Sequence, residues 1–447
     1  MKRPISIILA LCAALSLTAC GESKTEYPDY ISGNPSDIWG NAIMETEDGF
    51  YRNIDQFMLS LCYYDKATGK AVYLCAKPEC THDGNEYCTA TKEGVFYDAN
   101  ICMSGGYVYY SASEYVEADE KEYYKLIRAK ADGTEFTELC TYQTTVGNGN
   151  AMMHGISAEN YGRVMAVHRG LAIVPFYDYD LPTLMTDYTP NTMIIDIESG
   201  RYHKLPTPNI DLTKTTYGQG DYFLYEDWLY YTIATDWIGS EKTLYRYSLK
   251  SNITERVDIT AKFTSYAVID GCVYYSTPTK GEAPSKLLKY DLESGTLTDL
   301  SEQLAIDGQP FTNALFMWDG EYFIIQDTFY WVSGKAISET HKDKILIMDK
   351  HGNALADYDF WDSPVPRRFD EFTDKEYLEY GLKSQNGKLY VCTHLETGDP
   401  RWEYSDRYDE LVLCCEIEDI ISGNAEWYEP FDFYQLVKPK EDSNAGA

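Results

Sequence analysis

The feature that most constrains this chain is a phrase that recurs along it. Alternating apolar residues run into a turn carrying Gly or Asp, and then into a β-rich aromatic run. Six copies stand out: Ile101 to Tyr110 (ICMSGGYVYY), Met165 to Val174 (MAVHRGLAIV), Tyr222 to Tyr231 (YFLYEDWLYY), Val268 to Tyr275 (VIDGCVYY), Leu315 to Ile325 (LFMWDGEYFII) and Leu382 to Val391 (LKSQNGKLYV). Each is followed, after a connection of variable length, by a second hairpin with a tight turn: Leu126 to Leu139, Met193 to Leu205, Leu244 to Val257, Leu287 to Leu300, Ile345 to Tyr358 and Leu411 to Tyr428. A weaker unit opens the series, from Ile43 through Asp48-Gly49-Phe50-Tyr51 to Met58–Leu74, with its second turn at Asp65 to Gly69. Two hairpins in series make a four-stranded meander, and there are seven such units.

A lone meander cannot bury both of its faces. Repeated at a period of several tens of residues, meanders stack around an axis, each between two neighbours. The pattern predicts an all-β chain folded as a single β-propeller of seven four-stranded blades over 41–437, with a polar tail at 438–447. The degenerate first unit leaves six or eight blades as alternatives. A pair of β-sandwiches is the competing architecture, but the copies are spread too evenly to leave a domain boundary. The 41 Tyr residues fit a sheet fold, because flat rings pack well on a pleated surface. Their Tyr-Tyr pairs read as inter-blade core and rim, not as a ligand box.

Meander connectivity sorts the loops, since alternate turns fall on opposite ends of a blade. One end collects tight turns such as Glu198-Ser199-Gly200, Glu293-Ser294-Gly295 and Lys350-His351-Gly352, which look too short to wall a pocket. The other collects long connections: Ser111 to Glu122, Tyr177 to Asn191, Thr235 to Glu241, Thr328 to Asp343 and His394 to Tyr408 within blades, and Ala76 to Thr91, Thr141 to Tyr161 and Trp361 to Glu376 between them. Function concentrates on loops held by a rigid scaffold, so the site is expected at this end. Tyr179, Trp237, Trp331, Arg367, Arg401 and Trp402 are its candidate ligand-binding residues. Rings stack on apolar faces while guanidinium groups take directional hydrogen bonds, which suits a glycan or a peptide. The plainer alternative is that each ring anchors its own loop to the rim.

The N-terminus carries an address. Met1-Lys2-Arg3 is basic, Ile5 to Ser16 is apolar but too short to stay as a membrane-spanning helix, and Cys20 follows Leu17-Thr18-Ala19. Leu17-Thr18-Ala19-Cys20-Gly21 resembles the bacterial lipobox, which implies a signal peptide over 1–19, acylation of Cys20 and a tether over 20–40. The alternative is an ordinary signal peptide with a chance Cys. Two or three acyl chains on Cys20 would hold the protein at the outer face of the bacterial cell membrane. Together, the lipobox and the repeat phrases resemble the propeller lipoproteins of Gram-positive bacteria and, more distantly, TolB-like propellers. Families of this kind include scaffolds, ligand binders and domains attached to hydrolases, so the resemblance implies a fold and a location without selecting an activity.

Cysteines cluster in one inter-blade loop, CAKPECTHDGNEYC, where Pro78 and Gly84 turn the chain. Cys75, Cys80, His82 and Cys88 match the ligand set of a closed tetrahedral Zn²⁺ site, although their spacing is not that of a standard zinc finger. In an exported chain, two disulfides recruiting Cys62 or Cys102 are the alternative staple for the same loop, and unpaired thiols are a third reading; the single well-placed His82 tips the balance toward metal. Cys140 ends its blade as Cys75 ends the first, which points to plain packing at both positions; Cys272 reads as buried core. Cys392 and Cys414 lie on strands either side of one connection and are expected to face each other across a hairpin, with Cys415 on the opposite side.

With 38 Lys and Arg against 71 Asp and Glu, the net charge of −33 repels phosphate backbones, which excludes nucleic acid as a partner. The chain has no G-x-S-x-G elbow, H-E-x-x-H pair or Walker loop. His168 and His351 fall in tight turns; His154, His341 and His394 lie in or beside the long connections, without an assignable partner for acid–base chemistry. The leading expectation is a non-enzymatic, lipid-anchored module binding a glycan, a peptide or an envelope protein. The alternatives are a polysaccharide lyase or glycoside hydrolase built on the same face, and a structural subunit of an envelope complex.

Overall fold

The computed structural model describes residues 43–55, 59–75, 79–80, 88, 102–116, 121–130, 134–144, 166–178, 189–206, 208, 219–234, 242–262, 265–277, 286–304, 314–327, 344–359, 380–395 and 409–436. Their strands form seven antiparallel sheets, each built from consecutive strands. The blades lie within 44–73, 102–144, 166–204, 219–261, 265–299, 314–359 and 380–416, and the fold is a seven-bladed propeller. The first strands touch one another between the second and third, the fourth and fifth, the fifth and sixth, and the sixth and seventh blades.

Burial explains the aromatic half of each repeat. The second strand of a blade is covered on both faces by its neighbours, so it reads as a continuous apolar run instead of an alternation. In Trp228–Ala234, Tyr230 and Tyr231 point to opposite faces and are buried in two different inter-blade layers. The outermost strands, such as Tyr202–Lys204 and Leu297–Asp299, are exposed throughout. The core is therefore a set of layers between blades, not one central cluster.

The tight turns share one end. In five blades the backbone N–H that follows the third strand donates to a carbonyl of the first turn: Lys66 to Asp48 (3.0 Å), Ile197 to Gly170 (3.0 Å), Leu249 to Asp227 (2.9 Å), Leu292 to Gly271 (3.0 Å) and Ile417 to Gly387 (2.9 Å). An aspartate opens several outer turns. Oδ1 of Asp65, Asp196 and Asp291 accepts two backbone N–H groups each, and a glycine four residues on, at positive φ, donates back to the aspartate carbonyl. Such turns fix the register of each outer hairpin.

Two expected features differ. The segment from Ser111, expected to be a long loop, instead continues the second strand of its blade: Tyr107–Val116 pairs with Lys121–Lys130 out to Val116↔Lys121, because its aromatic and β-branched residues favour a ladder. The last blade is not closed by a second tight hairpin. Its third strand, Asp409–Glu416, runs into a short helix, Ile417–Ser422, and the fourth position is filled by Tyr428 alone, bridged to Cys414. Among the described residues, no helix is long and apolar enough to cross a membrane.

The joint between the first and last blades is made by side chains and by the C-terminal segment, with no strand exchanged across it among the described residues. Glu45, 5% exposed at its side chain, accepts from Lys66 Nζ (2.8 Å), Lys388 Nζ (2.6 Å) and the Tyr390 hydroxyl (2.6 Å). Lys383 Nζ reaches the Ile43 carbonyl at 3.1 Å. Beyond the Tyr428 bridge the chain crosses to the first blade, where Phe431 meets Phe50 (5.2 Å between centroids) and Phe433 meets Tyr64 (5.9 Å). A 3₁₀ turn at Phe433–Leu436 ends with the Leu436 carbonyl accepting from the Tyr73 hydroxyl at 3.2 Å.

Candidate metal centre

The cysteine cluster is positioned by the outer hairpin of the first blade. The Asp65–Gly69 turn joins Leu59–Asp65 to Lys70–Tyr73 and sets Cys62 opposite Tyr73. Gly69 sits at φ +64°, a conformation that a side chain would resist. The ladder then ends: Leu74 N–H still donates to the Leu61 carbonyl, but Cys75 N–H donates back to Tyr73 at 2.8 Å, turning the chain away. The Sγ atoms of Cys75, Cys80 and Cys88 lie within 4.8 Å of one another. Three thiolates about one tetrahedral zinc stand about 3.8 Å apart, given Zn–S bonds of about 2.3 Å, so a single ion is within reach of all three. Cys88 is fully buried, and Cys75 and Cys80 are half-buried, which leaves the group open on one side. His82, the expected fourth ligand, lies outside the described residues.

Cys62 stands next to this group but outside it. Burial pushes its thiol well above the ordinary range against the pull of Arg52, and the nearby Cys88 adds to the shift. Its side chain belongs to the layer between the first and last blades, with Phe50, Tyr390, Cys414, Phe431 and Phe433. Burial likewise pushes the Tyr73 hydroxyl up to about 12, with Cys62 and Cys88 contributing.

No protein-family model matches the chain, and no curated protein matches it. Solved structures do. The chain is similar to the β-propeller domain of the Trilobed protease from Pyrococcus furiosus, at 13% identity over 71% of this chain and 81% of that one, with a TM-score of 0.41. It is similar to TolB from Acinetobacter baumannii, at 13% identity over 82% of this chain and 79% of that one, TM-score 0.29. It is also similar to an oligogalacturonate lyase in complex with manganese, at 10% identity over 63% of this chain and 71% of that one, TM-score 0.39. Likeness at this level carries no activity across. The blade count comes from the chain's own ladders.

The structure brings together Cys75, Cys80 and Cys88 of the residues singled out from sequence. Cys20, Tyr179, Trp237, Trp331, Arg367, Arg401 and Trp402 lie outside the described residues. The expected equivalence of Cys75 and Cys140 does not hold. Cys140 sits within the strand Thr137–Thr144 and packs against the layer shared with the third blade, whereas Cys75 lies past the end of its strand and turns into the thiol group. Cys392 pairs with Val412 and Cys414 with Tyr390, so the two cysteines do not face each other; the ladder from Lys388↔Glu416 to Leu395↔Asp409 decides this register. Cys272 is buried core, as expected. His168 ends the strand Ala166–His168 and is buried, not part of a turn.

The tight-turn end is less bare than expected. A groove of about 450 Å³ opens there between the fifth and sixth blades, lined by Tyr274, Lys289, Asp291, Ser294, His351 and Asn353 among others. Residues on the neighbouring blade supply the wall that the turns are too short to make alone. Several of its polar groups are engaged within the protein. Asp291 Oδ1 holds the turn, Ser294 donates to Asp291 and lies 2.9 Å from Thr296, and Lys289 Nζ stands 5.4 Å over the Tyr274 ring. The His351 ring is 3.3 Å from the Asp270 carboxylate, and Asn353 donates to Asp349. Sequence reasoning missed Glu45 and Tyr73, the two side chains that tie this part of the ring together. In a chain with 71 acidic residues and 41 Tyr, no local signal marks either one.

Proposed function

We propose that this protein is an extracytoplasmic recognition module, held at the outer face of the bacterial cell membrane by lipid on Cys20, that binds a glycan, a peptide or an envelope protein at the long-connection end of its propeller. The observation that supports this reading is the asymmetry of the two ends. At one end, both turns of four blades are tied backbone to backbone, and several polar groups of the groove are engaged within the protein. The other end is where the connections have the length to wall a pocket, and Tyr179, Trp237, Trp331, Arg367, Arg401 and Trp402 belong to those connections.

A ligand selected on a glycan array or by pull-down supplies the test. Trp331→Ala or Trp402→Ala should cost about 2 kcal/mol, or about 30-fold in Kd, while His351→Ala leaves calorimetric affinity unchanged. Equal affinities throughout, or a loss confined to His351→Ala, would place the site elsewhere. Turnover of the bound glycan would replace this reading with an enzymatic one. In the same series, Cys20→Ala should release the chain from the membrane fraction; retention after a salt wash would remove the anchor.

The thiol group is proposed as a structural Zn²⁺ site using Cys75, Cys80 and Cys88, with His82 as the fourth ligand. Sulfur-rich tetrahedral sets favour zinc, and such sites stabilise the segment that carries them. Elemental analysis of the full chain should find about one zinc per molecule, lost in Cys88→Ser. Peptide mapping without reduction that finds all three cysteines in disulfides would end this assignment.

A further inference from the structure

The thiol group lies beside the one joint that chain continuity does not maintain. Six joints connect blades that follow one another in sequence, whereas the joint between the first and last blades is closed by Glu45, by the Phe431 and Phe433 rings and by the C-terminal turn. Tyr73 belongs to both neighbourhoods. It pairs with Cys62, whose side chain is buried in the joint's apolar layer. Its carbonyl accepts from the N–H of Cys75, two residues on, and its hydroxyl donates to the Leu436 carbonyl, at the end of the C-terminal segment that arrives from the last blade.

We infer that metal binding at Cys75, Cys80 and Cys88 locks the propeller ring: an ion that gathers the three sulfurs also fixes Tyr73, and through it the C-terminal segment that spans the first and last blades. The inference rests on the reading of the thiol group as a zinc site. A ligand that binds the closed ring more tightly than the open one stabilises closure by its differential affinity, and closure in turn strengthens ligand binding by the same factor. The device is local. The layers among the third to sixth blades have their own apolar clusters and do not depend on the joint.

The test is native-state hydrogen exchange on the full chain, zinc-loaded and after chelation, with zinc content measured on each sample. The mutual amides of Cys414 and Tyr428 (2.8 and 3.0 Å) report on the joint, and peptides covering 242–261 serve as the internal reference. Chelation should speed exchange across 409–436 and 43–52 by about tenfold or more while leaving the reference within about twofold, because sub-global openings are independent of distant blades. Tyr73→Phe should still carry one zinc per chain, yet shrink the zinc effect on 409–436 to less than about threefold, since the hydroxyl that couples the two elements is gone. Equal exchange with and without bound zinc would overturn the ring lock while leaving the zinc site standing, as would acceleration spread evenly over all blades. A chain that binds no zinc would overturn both.

Discussion

Glu45→Ala should destabilise the propeller by about 3 kcal/mol, the low end of what removing one partner from a buried ion pair costs. Three donors converge on this carboxylate, and two of them are charged. Deleting it leaves Lys388 with the more distant Glu416 carboxylate (3.7 Å) and the Tyr390 hydroxyl without an acceptor in a buried layer. Lys66 is partly exposed and recovers water, which keeps the loss from being larger. Equilibrium urea unfolding checks the figure, and a change below about 1 kcal/mol would mean that the joint does not depend on this knot. The pH dependence has a defined sign. Burial alone would raise the Glu45 carboxyl, but hydrogen bonds from Lys388, Lys66 and Tyr390 outweigh it and hold the group below its ordinary value of 4.5. Its contribution is therefore fully present above that value and is lost as pH falls below it through the folded-state value. Glu45→Gln lacks this component, so the stability gap between wild type and variant should narrow on acidification below 4.5 and stay constant near neutrality.

Phe433→Ala should be comparably severe, at about 3–5 kcal/mol, the usual range for truncating a buried phenylalanine. Phe433 is 2% exposed, and its ring meets Phe431 at 5.0 Å and Tyr64 at 5.9 Å. Phe431 in turn contacts Phe50 and lies under the Arg52 guanidinium at 5.7 Å. Because the C-terminal segment alone carries these rings across the joint, the damage should appear first there. Limited proteolysis should cut the variant after the Tyr428 bridge at protease concentrations that spare the wild type. Intact digestion profiles for both would show that the rings fill space without closing the ring.

The two substitutions test the same physical point from different sides. Neighbouring blades elsewhere are kept together by far shorter stretches of chain as well as by packing, so a weakened layer re-forms more readily. The first and last blades are separated by more than 300 residues of chain, as the Lys388–Glu45 bond shows with its separation of 343. Closing that joint opposes a larger loop entropy, and side-chain contacts have to supply the difference.

The blade repeat was legible in sequence because its signals are local. Period-2 apolar alternation, doubly buried Tyr-Tyr runs and Asp- or Gly-bearing turns each act over fewer than about ten residues, and they marked seven units in the right order. Turn chemistry also marked the tight turns that share one end, since Asp65, Asp196 and Asp291 cap their turns with their own backbone neighbours. The clustering of Cys75, Cys80 and Cys88 in one loop suggested a shared site, and their sulfurs do converge. Tertiary structure alone decided the rest. Cys62 lies beside that group yet outside it, Cys392 and Cys414 are out of register by two residues, and Tyr428 occupies the place of a final strand. Glu45 and Tyr73 matter because of residues more than 340 positions away. Local pattern specifies which segments become strands and turns; which side chains meet where the ring closes is set by long-range packing, and no short stretch of sequence encodes it.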